Sequence, residues 1–180
     1  MENINLEDNL AIQNILNRKS VRQFTDKAVE KEKIEILLKC AMAAPSARNR
    51  QPWKYVVVDD RDLLDKLAEE LPYAKMLFSS TLGIVVCGDV RDKEDLTAQS
   101  YWPQDCSAAT QNILLAAEAM GLGACWTACY PKEDRETTTR KFVNMPEGIN
   151  PFCVIAIGYP ARENQVIDKW KEENIFYNTF

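Results

Sequence analysis

The sequence predicts an α+β domain in which helices flank a central sheet of about four to five strands. Two observations carry this prediction. Short β-branched runs, typical of strands, alternate with longer segments whose apolar residues recur at helical spacing. In addition, 180 residues with 46% hydrophobic and 27% charged side chains suit one globular unit. Because no linker or repeat divides the chain, we expect a single domain over residues 1–180.

The first half of the chain is predicted to contain three helices and a strand. Asn5 is placed to cap a helix that ends near residue 18. The second helix covers 29–43, where apolar residues recur every three or four positions until a proline interrupts them. A β-branched run over 54–58 indicates a strand, and Asp60 caps a third helix that continues to residue 71.

The second half begins with a predicted strand over 82–87. The most apolar helix follows, from Pro103 to Met120, and its composition predicts a central position with cover on nearly all sides. Gly121-Leu122-Gly123 suits the end of this helix. Strands are predicted over 124–129 and 152–159, with a short helix over 131–143 between them.

The last segment, 161–180, is a charged tail with an apolar end. Its final residues, Ile175 to Phe180, are strand-like and too apolar to be left in water, so we expect them to pack on a partner subunit.

The composition excludes several classes of function. With no histidine, the chain lacks Ser-His-Asp and Cys-His nucleophile systems and histidine-supported metal sites. The net charge of −5 argues against nucleic acids and acidic membrane surfaces as partners. Six cysteines without a CxxC pair are expected to be reduced core residues. A polar N-terminus and the lack of an apolar run of ~20 residues predict a cytoplasmic protein without a membrane anchor.

Two familiar nucleotide motifs are not supported. Gly121-x-Gly123 follows a predicted helix and precedes a strand, which is the reverse of a dinucleotide fingerprint. No GxxxxGK[ST] phosphate loop occurs either.

Two polar segments are better candidates for binding. Arg18 to Arg22 places three cations and a hydroxyl within five residues, a set that suits a phosphate, although a solvated basic loop has the same composition. Pro45 to Trp53 presents hydroxyl and amide groups between two prolines, which fits a planar heterocycle or a polyol chain. The alternative for this second segment is a capped turn between a helix and a strand.

These segments, taken in order, resemble the nitroreductase family of flavoproteins over nearly the whole chain. The resemblance is carried by the following motifs: Arg18-Lys19-Ser20-Val21-Arg22-Gln23-Phe24, Ala44-Pro45-Ser46-Ala47-Arg48-Asn49-Arg50-Gln51-Pro52-Trp53, Asn112 in the apolar helix, Gly121-Leu122-Gly123-Ala124-Cys125-Trp126 and Ile157-Gly158-Tyr159-Pro160. It implies a three-layer fold around a mixed sheet, non-covalent FMN at a homodimer interface and NAD(P)H as reductant.

The resemblance also implies roles for particular residues. Four residues of the first loop would hold the FMN phosphate, ribityl chain and pyrimidine edge: Arg18, Lys19, Ser20 and Arg22. Four residues of the second loop would contact the flavin of the other subunit: Pro45, Ser46, Ala47 and Asn49. The backbone of Thr127, Ala128 and Cys129 would pass beside flavin N5, although the glycine or acidic residue common there is missing. Lys169 and Lys171 would match a late basic pair at the phosphate, which usually ends in arginine.

The implied function is that of an FMN-dependent NAD(P)H oxidoreductase with a ping-pong mechanism. A cation at Arg22 would act electrostatically, and the acceptor would be a nitroaromatic, a quinone or a similar small molecule. The aromatic residues Tyr73, Phe78, Tyr101 and Trp102 lie in segments that could line the acceptor pocket, although a core role is the stronger expectation for each. Two alternatives stay open, a flavin-binding or flavin-scavenging protein without a productive acceptor and a cofactor-free interaction domain.

Overall fold

The structure, a computed structural model, describes residues 9–180. Five α-helices are present: α1 (Leu10–Asn17), α2 (Lys31–Met42), α3 (Arg61–Glu70), α4 (Leu96–Ala119) and α5 (Glu133–Phe142). Four strands complete the domain: β1 (Trp53–Val58), β2 (Leu82–Asp89), β3 (Gly123–Ala128) and β4 (Ile149–Gly158). The predicted order of elements is therefore confirmed.

The four strands form one sheet in the order β1-β2-β4-β3, and every neighbouring pair is antiparallel. We expected a mixed sheet. β2 and β3 do run in the same direction, but β4 lies between them and pairs antiparallel with both. Within residues 9–180, the parallel pairing is an isolated bridge between Ser20 and Ala124.

Helices cover both faces of the sheet, which confirms three layers. The side chains of β2 alternate between two cores: Ile84 and Val86 pack with α2 and α4 on one face, and Val85 and Cys87 pack with α3 on the other. β4 is buried along nearly its whole length, as expected for an inner strand covered on both faces.

Helix α4 is longer than predicted and begins before Pro103. Its first residue is Leu96, because the Asp95 carboxylate accepts hydrogen bonds from the amides of Thr97 and Ala98 and caps the helix. Pro103 lies within the 24-residue helix instead of starting it. The predicted central position is confirmed, since α4 contacts all four strands as well as α1 and α2.

The two ends of the chain differ from the predictions in detail. The expected cap at Asn5 lies outside the described residues, and within them Asn9 caps α1 through its side-chain oxygen and the Ala11 amide, at 2.9 Å. The tail beyond residue 160 forms a short 3₁₀ turn, Glu172–Asn174, and no strand. Its apolar end is exposed in the single chain. No helix among residues 9–180 has the length and apolar character needed to cross a bilayer.

Candidate functional site

The loop between α1 and α2 is fixed against the exposed edge of β3. Two residues of this loop, Val21 and Phe24, have buried side chains. The Val21 amide donates to the Ala124 carbonyl at 3.0 Å. Ser20 forms the parallel bridge with the same residue. Because the buried side chains point inward, Ser20 and Arg22 are turned outward and are exposed. The fold thus presents the predicted phosphate-binding groups at the surface.

Two glycines allow this loop to approach the sheet. A Cβ atom on Gly123 would lie 2.6 Å from the Cβ of Val21, and one on Gly158 would lie 3.1 Å from the Phe24 ring. A side chain at Gly123 would therefore displace the loop. The glycines of the two late motifs serve loop docking, a role that the sequence alone did not indicate.

A cleft of about 210 Å³ opens beside the loop. It is lined by Arg18, Lys19, Ser20, Arg22, Gln165, Ile167 and Lys169. Within the described residues, neither arginine nor Lys169 has a carboxylate within 4.0 Å. Three cations and one hydroxyl are therefore available to an anion, and this donor set fits the terminal phosphate of a mononucleotide.

Two of the predicted phosphate ligands are placed differently. Lys19 Nζ lies 2.9 Å from Glu118 Oε1, so its charge is already paired with α4. Lys171 is not among the residues that line the cleft. Of the predicted pair in the tail, Lys169 alone lines the cleft, together with Gln165 and Ile167 of the same segment.

The second predicted loop is held by one hydrogen bond to α4 and one within the loop. The Ala47 amide donates to Asp105 Oδ1 at 2.9 Å, and Ser46 Oγ accepts from the Gln51 amide at 2.9 Å. Arg48, Asn49 and Gln51 all adopt positive φ angles. Non-glycine residues in this conformation are uncommon and cluster at binding sites, where surrounding contacts maintain them. A simple capped turn does not need three of them.

The two loops dock at different places on the same helix. Asp105 contacts the second loop and Glu118 contacts the first. These residues are thirteen positions apart on α4, which corresponds to about 20 Å along the helix axis. Within one chain, the two predicted halves of the site are therefore well separated.

Residues 127–129 are predicted to pass beside flavin N5, and one of their three amides faces the exposed edge of β3. The Cys129 amide already donates to the Phe152 carbonyl at 3.0 Å. Since alternate residues of an antiparallel strand bond to the neighbouring strand, Thr127 also points its amide toward β4, and Ala128 points away from it. Ala128 is the member of the three that could donate to a ligand.

The side chains of this segment are not reactive groups. Thr127 Oγ1 donates to the Met76 sulfur, and Cys129 Sγ lies 3.2 Å from Thr139 Oγ1. Burial raises the pKa of Cys129 to about 11 and that of Cys87 to about 12. Both thiols therefore stay protonated near neutral pH. All six cysteines are free, and five of them are buried.

Arg135 and Tyr73 lie next to each other near the end of β3 that carries Ala128. Arg135 Nη1 donates to the Ala128 carbonyl at 3.3 Å, and its guanidinium carbon lies 5.7 Å from the centre of the Tyr73 ring. The sequence indicates Tyr73 as a possible pocket residue, whereas Arg135 has no motif around it and is not predicted. Trp102 is a core residue, as expected, whereas Phe78 and Tyr101 are about half exposed.

The comparisons with known proteins identify the family to which this chain belongs. A profile described as the Nitroreductase family matches residues 15–76 and 68–159. A protein of Archaeoglobus fulgidus named, by inference, NADH dehydrogenase/NAD(P)H nitroreductase is 44% identical over 151 residues, covering 83% of this chain and 84% of that protein. The chain belongs to the nitroreductase family, and the resemblance in its motifs is confirmed.

Solved structures give the same result for the fold. A Bacteroides thetaiotaomicron protein with the same inferred name has a TM-score of 0.90 and 52% identity, with 96% of this chain and 99% of that chain covered. A Desulfovibrio desulfuricans protein crystallised in complex with FMN has a TM-score of 0.80 and 28% identity, with 96% and 99% covered.

Proposed function

We propose that this chain is an FMN-dependent NAD(P)H oxidoreductase that reduces a nitroaromatic, a quinone or a similar small acceptor by a ping-pong mechanism. The observation that carries the proposal is the cleft of Arg18, Arg22, Ser20 and Lys169 at the exposed edge of β3. Membership of the nitroreductase family and the FMN complex of the Desulfovibrio relative support it.

The exposed edge of β3 has the length and the groups that an extended flavin nucleotide needs. The cationic cleft lies beside Ala124, and the outward amide of Ala128 is four residues further along, which is about 13 Å in a strand. A phosphate at one end and a hydrogen-bond acceptor of a flat ring at the other would match these groups. FMN, when bound, supplies hydride chemistry that no side chain of this protein offers.

In this proposal, the residues of the cleft bind FMN and stabilise the negative charge that develops on it. Arg18 and Lys169 hold the phosphate, Ser20 donates a hydrogen bond, and Arg22 places a positive charge where negative charge grows as electrons arrive. In the overall reaction, NAD(P)H loses a hydride. A nitro group gains two electrons and two protons, becomes a nitroso group and releases water.

We also propose that the enzyme is a homodimer with two shared sites. The separation of the two loops on α4 supports this arrangement, because Ser46 and Asn49 would then act at the site of the other subunit. Exposed apolar residues of α1 and the tail, among them Leu16, Ile167 and Trp170, supply surface for such contact. Five buried free thiols agree with a reducing compartment, and we propose the cytoplasm.

A flavin-binding protein without a productive acceptor is the second candidate. It is favoured by the engaged Cys129 amide, which leaves one backbone donor in the 127–129 segment. A cofactor-free interaction domain is the third, and the exposed apolar tail favours it.

One experiment separates the three candidates. The purified protein is examined for a yellow flavin spectrum, and the released cofactor is identified by chromatography. NAD(P)H is then added without oxygen. Bleaching, followed by recovery of colour on addition of a nitroaromatic or quinone, supports the proposed enzyme. Bound FMN without recovery by any acceptor indicates the second candidate, and a colourless protein that does not take up FMN overturns both flavin functions.

A further inference from the structure

Arg135 is a cation at the proposed flavin edge that the proposed reaction does not use. It lies in the first turn of α5, and its side chain turns back to the end of β3. Nη1 donates to the Ala128 carbonyl at 3.3 Å. The guanidinium therefore lies beside the one residue of the 127–129 segment whose backbone faces the open edge.

The hydrogen-bonding capacity of Arg135 is largely unused. Among residues 9–180 it has no carboxylate within 4.0 Å, in contrast to Arg61 and Arg91, which pair with aspartates at 2.9 and 2.6 Å. Its Nε is buried and has no hydrogen-bond partner within the described chain. Among the described residues, the hydrogen bond that the guanidinium makes is the one from Nη1 to Ala128, so Nη2 keeps its donors for an external acceptor.

Tyr73 adds an aromatic surface next to this cation. Its ring centre is 5.7 Å from the guanidinium carbon of Arg135, and the side chain is 80% exposed. The backbone at Tyr73 has a φ of 62°, a conformation that is unusual for a bulky residue. An exposed ring on unusual backbone, paired with an available cation, is typical of a binding surface.

We propose that Arg135 and Tyr73 form the part of the acceptor site that selects aromatic substrates bearing a carboxylate. A carboxylate would accept from the free guanidinium nitrogens, and the attached ring would pack against Tyr73. The substrate would then lie over the edge where Ala128 faces the flavin. This inference rests on the proposed function, and it names the class of acceptor for that site.

Binding to the oxidised, FMN-loaded protein tests the inference without turnover. Benzoate is titrated into the protein while the visible flavin spectrum is recorded, and benzamide serves as the neutral ligand of the same shape. We expect Arg135→Gln to raise the benzoate Kd by about tenfold or more, the loss of one charge-assisted pair. Benzamide binding should change less than twofold.

Lys141→Gln is the matched control, because it removes one positive charge from the exposed face of the same helix. It should leave both dissociation constants unchanged. Tyr73→Asn removes the ring while keeping a residue that tolerates positive φ, and it should weaken benzoate and benzamide alike by a few-fold. This second variant keeps the test decisive if Arg135→Gln loses its fold, which FMN content and circular dichroism report.

The outcomes distinguish this inference from the proposed function. Wild-type protein that retains FMN but does not bind benzoate, or binds it equally after Arg135→Gln, overturns the selection of carboxylates. Wild-type protein that does not bind FMN overturns the proposed function instead. As a kinetic counterpart, Arg135→Gln should raise KM for 4-nitrobenzoate and leave KM for 4-nitrobenzyl alcohol unchanged.

Discussion

Arg22 is the residue on which the proposed chemistry most depends. It is exposed on a loop that Val21 and Phe24 anchor in the core, and among the described residues it has no acidic partner within 4.0 Å. A cation without a competing carboxylate interacts more strongly with negative charge that develops during a reaction than with a neutral ligand. Its position is therefore suited to stabilising electron transfer.

Arg22→Gln should slow reduction of the bound flavin by about tenfold, the consequence of losing ~1.4 kcal/mol of charge stabilisation. The reduction potential should fall in parallel. Stopped-flow absorbance with saturating FMN and NAD(P)H, without oxygen, measures the rate. Lys31→Gln, which removes an exposed charge from the start of α2, is the control. An unchanged rate in Arg22→Gln would contradict the electrostatic role.

We expect Glu30 to make the stability of the fold depend on pH. The Tyr159 hydroxyl donates to Glu30 at 2.6 Å, and this hydrogen bond is the main reason why the pKa of Glu30 is lowered to about 2 from 4.5. Because the pKa is lower in the folded state, the contribution is fully present above pH 4.5 and is lost as the pH falls toward 2.

Tyr159→Phe should therefore lower Tm near pH 7, and its difference from the wild type should narrow between pH 4.5 and 2. Part of the difference should persist at low pH, since Lys33 Nζ also donates to the Tyr159 hydroxyl at 2.9 Å. Thermal unfolding over this range measures it, with Tyr101→Phe, which changes a half-exposed tyrosine of α4, as the control. A pH-independent difference would show that Glu30 is not coupled to Tyr159.

At the scale of elements, the proposed phosphate site depends on contact between one loop and one strand. Val21 packs directly on the backbone of Gly123, and the same strand accepts the hydrogen bond of the Val21 amide through Ala124. The loop thus obtains its shape from β3 more than from its own sequence.

Gly123→Ala should displace this loop and weaken FMN binding by about tenfold or more, because the new methyl group would overlap a β-branched side chain in a packed region. Gly121→Ala is the informative control. Nothing lies within 4 Å of a Cβ at Gly121, but its φ of +70° makes the substitution unfavourable for the backbone alone. It should lower Tm without changing the FMN Kd, which fluorescence quenching measures. Equal effects on FMN binding from both variants would contradict loop docking.

At the scale of the whole molecule, the proposed sharing of sites between two subunits predicts complementation between inactive variants. Chains carrying Arg18→Ala and Arg22→Ala lack the first half of the site, and chains carrying Asn49→Ala lack the second. After random exchange, half of the dimers are mixed and each contains one intact site, so about a quarter of wild-type activity should return. No recovery after mass spectrometry has verified subunit exchange would count against sites shared between subunits.

The tail gives a second prediction at this scale. Ile175, Phe176 and Phe180 are exposed in the single chain, while Lys169, a few residues earlier, lines the proposed phosphate cleft. We expect deletion of residues 175–180 to weaken the dimer and to raise the FMN Kd about fivefold, since dimerisation and cofactor binding would be linked through one segment. Sedimentation and FMN titration measure these effects, with Glu172→Gln/Glu173→Gln as the control. A truncated protein with unchanged dimerisation and FMN affinity would show that residues 175–180 contribute to neither.

The sequence by itself determined the order of elements and the family, and the three layers followed from the resemblance to that family. Local patterns decide these features: apolar residues at helical spacing in α2 and α4, β-branched runs in β1 and β2, and motifs whose residues are neighbours in the chain. The sequence also predicts a phosphate-binding role for the cations of the first loop, because three cations and a hydroxyl are concentrated within five residues.

The tertiary structure decided what depends on residues distant in the chain. The insertion of β4 between β2 and β3 made the sheet antiparallel, and Glu118 paired with Lys19 across 99 positions. The alternation of amide directions along β3 turned the Ala128 amide away from β4, and α5 brought Arg135 to the same edge. No local pattern encodes these relations, since strand order, ion pairing and the direction of an amide are fixed only when separate elements pack together.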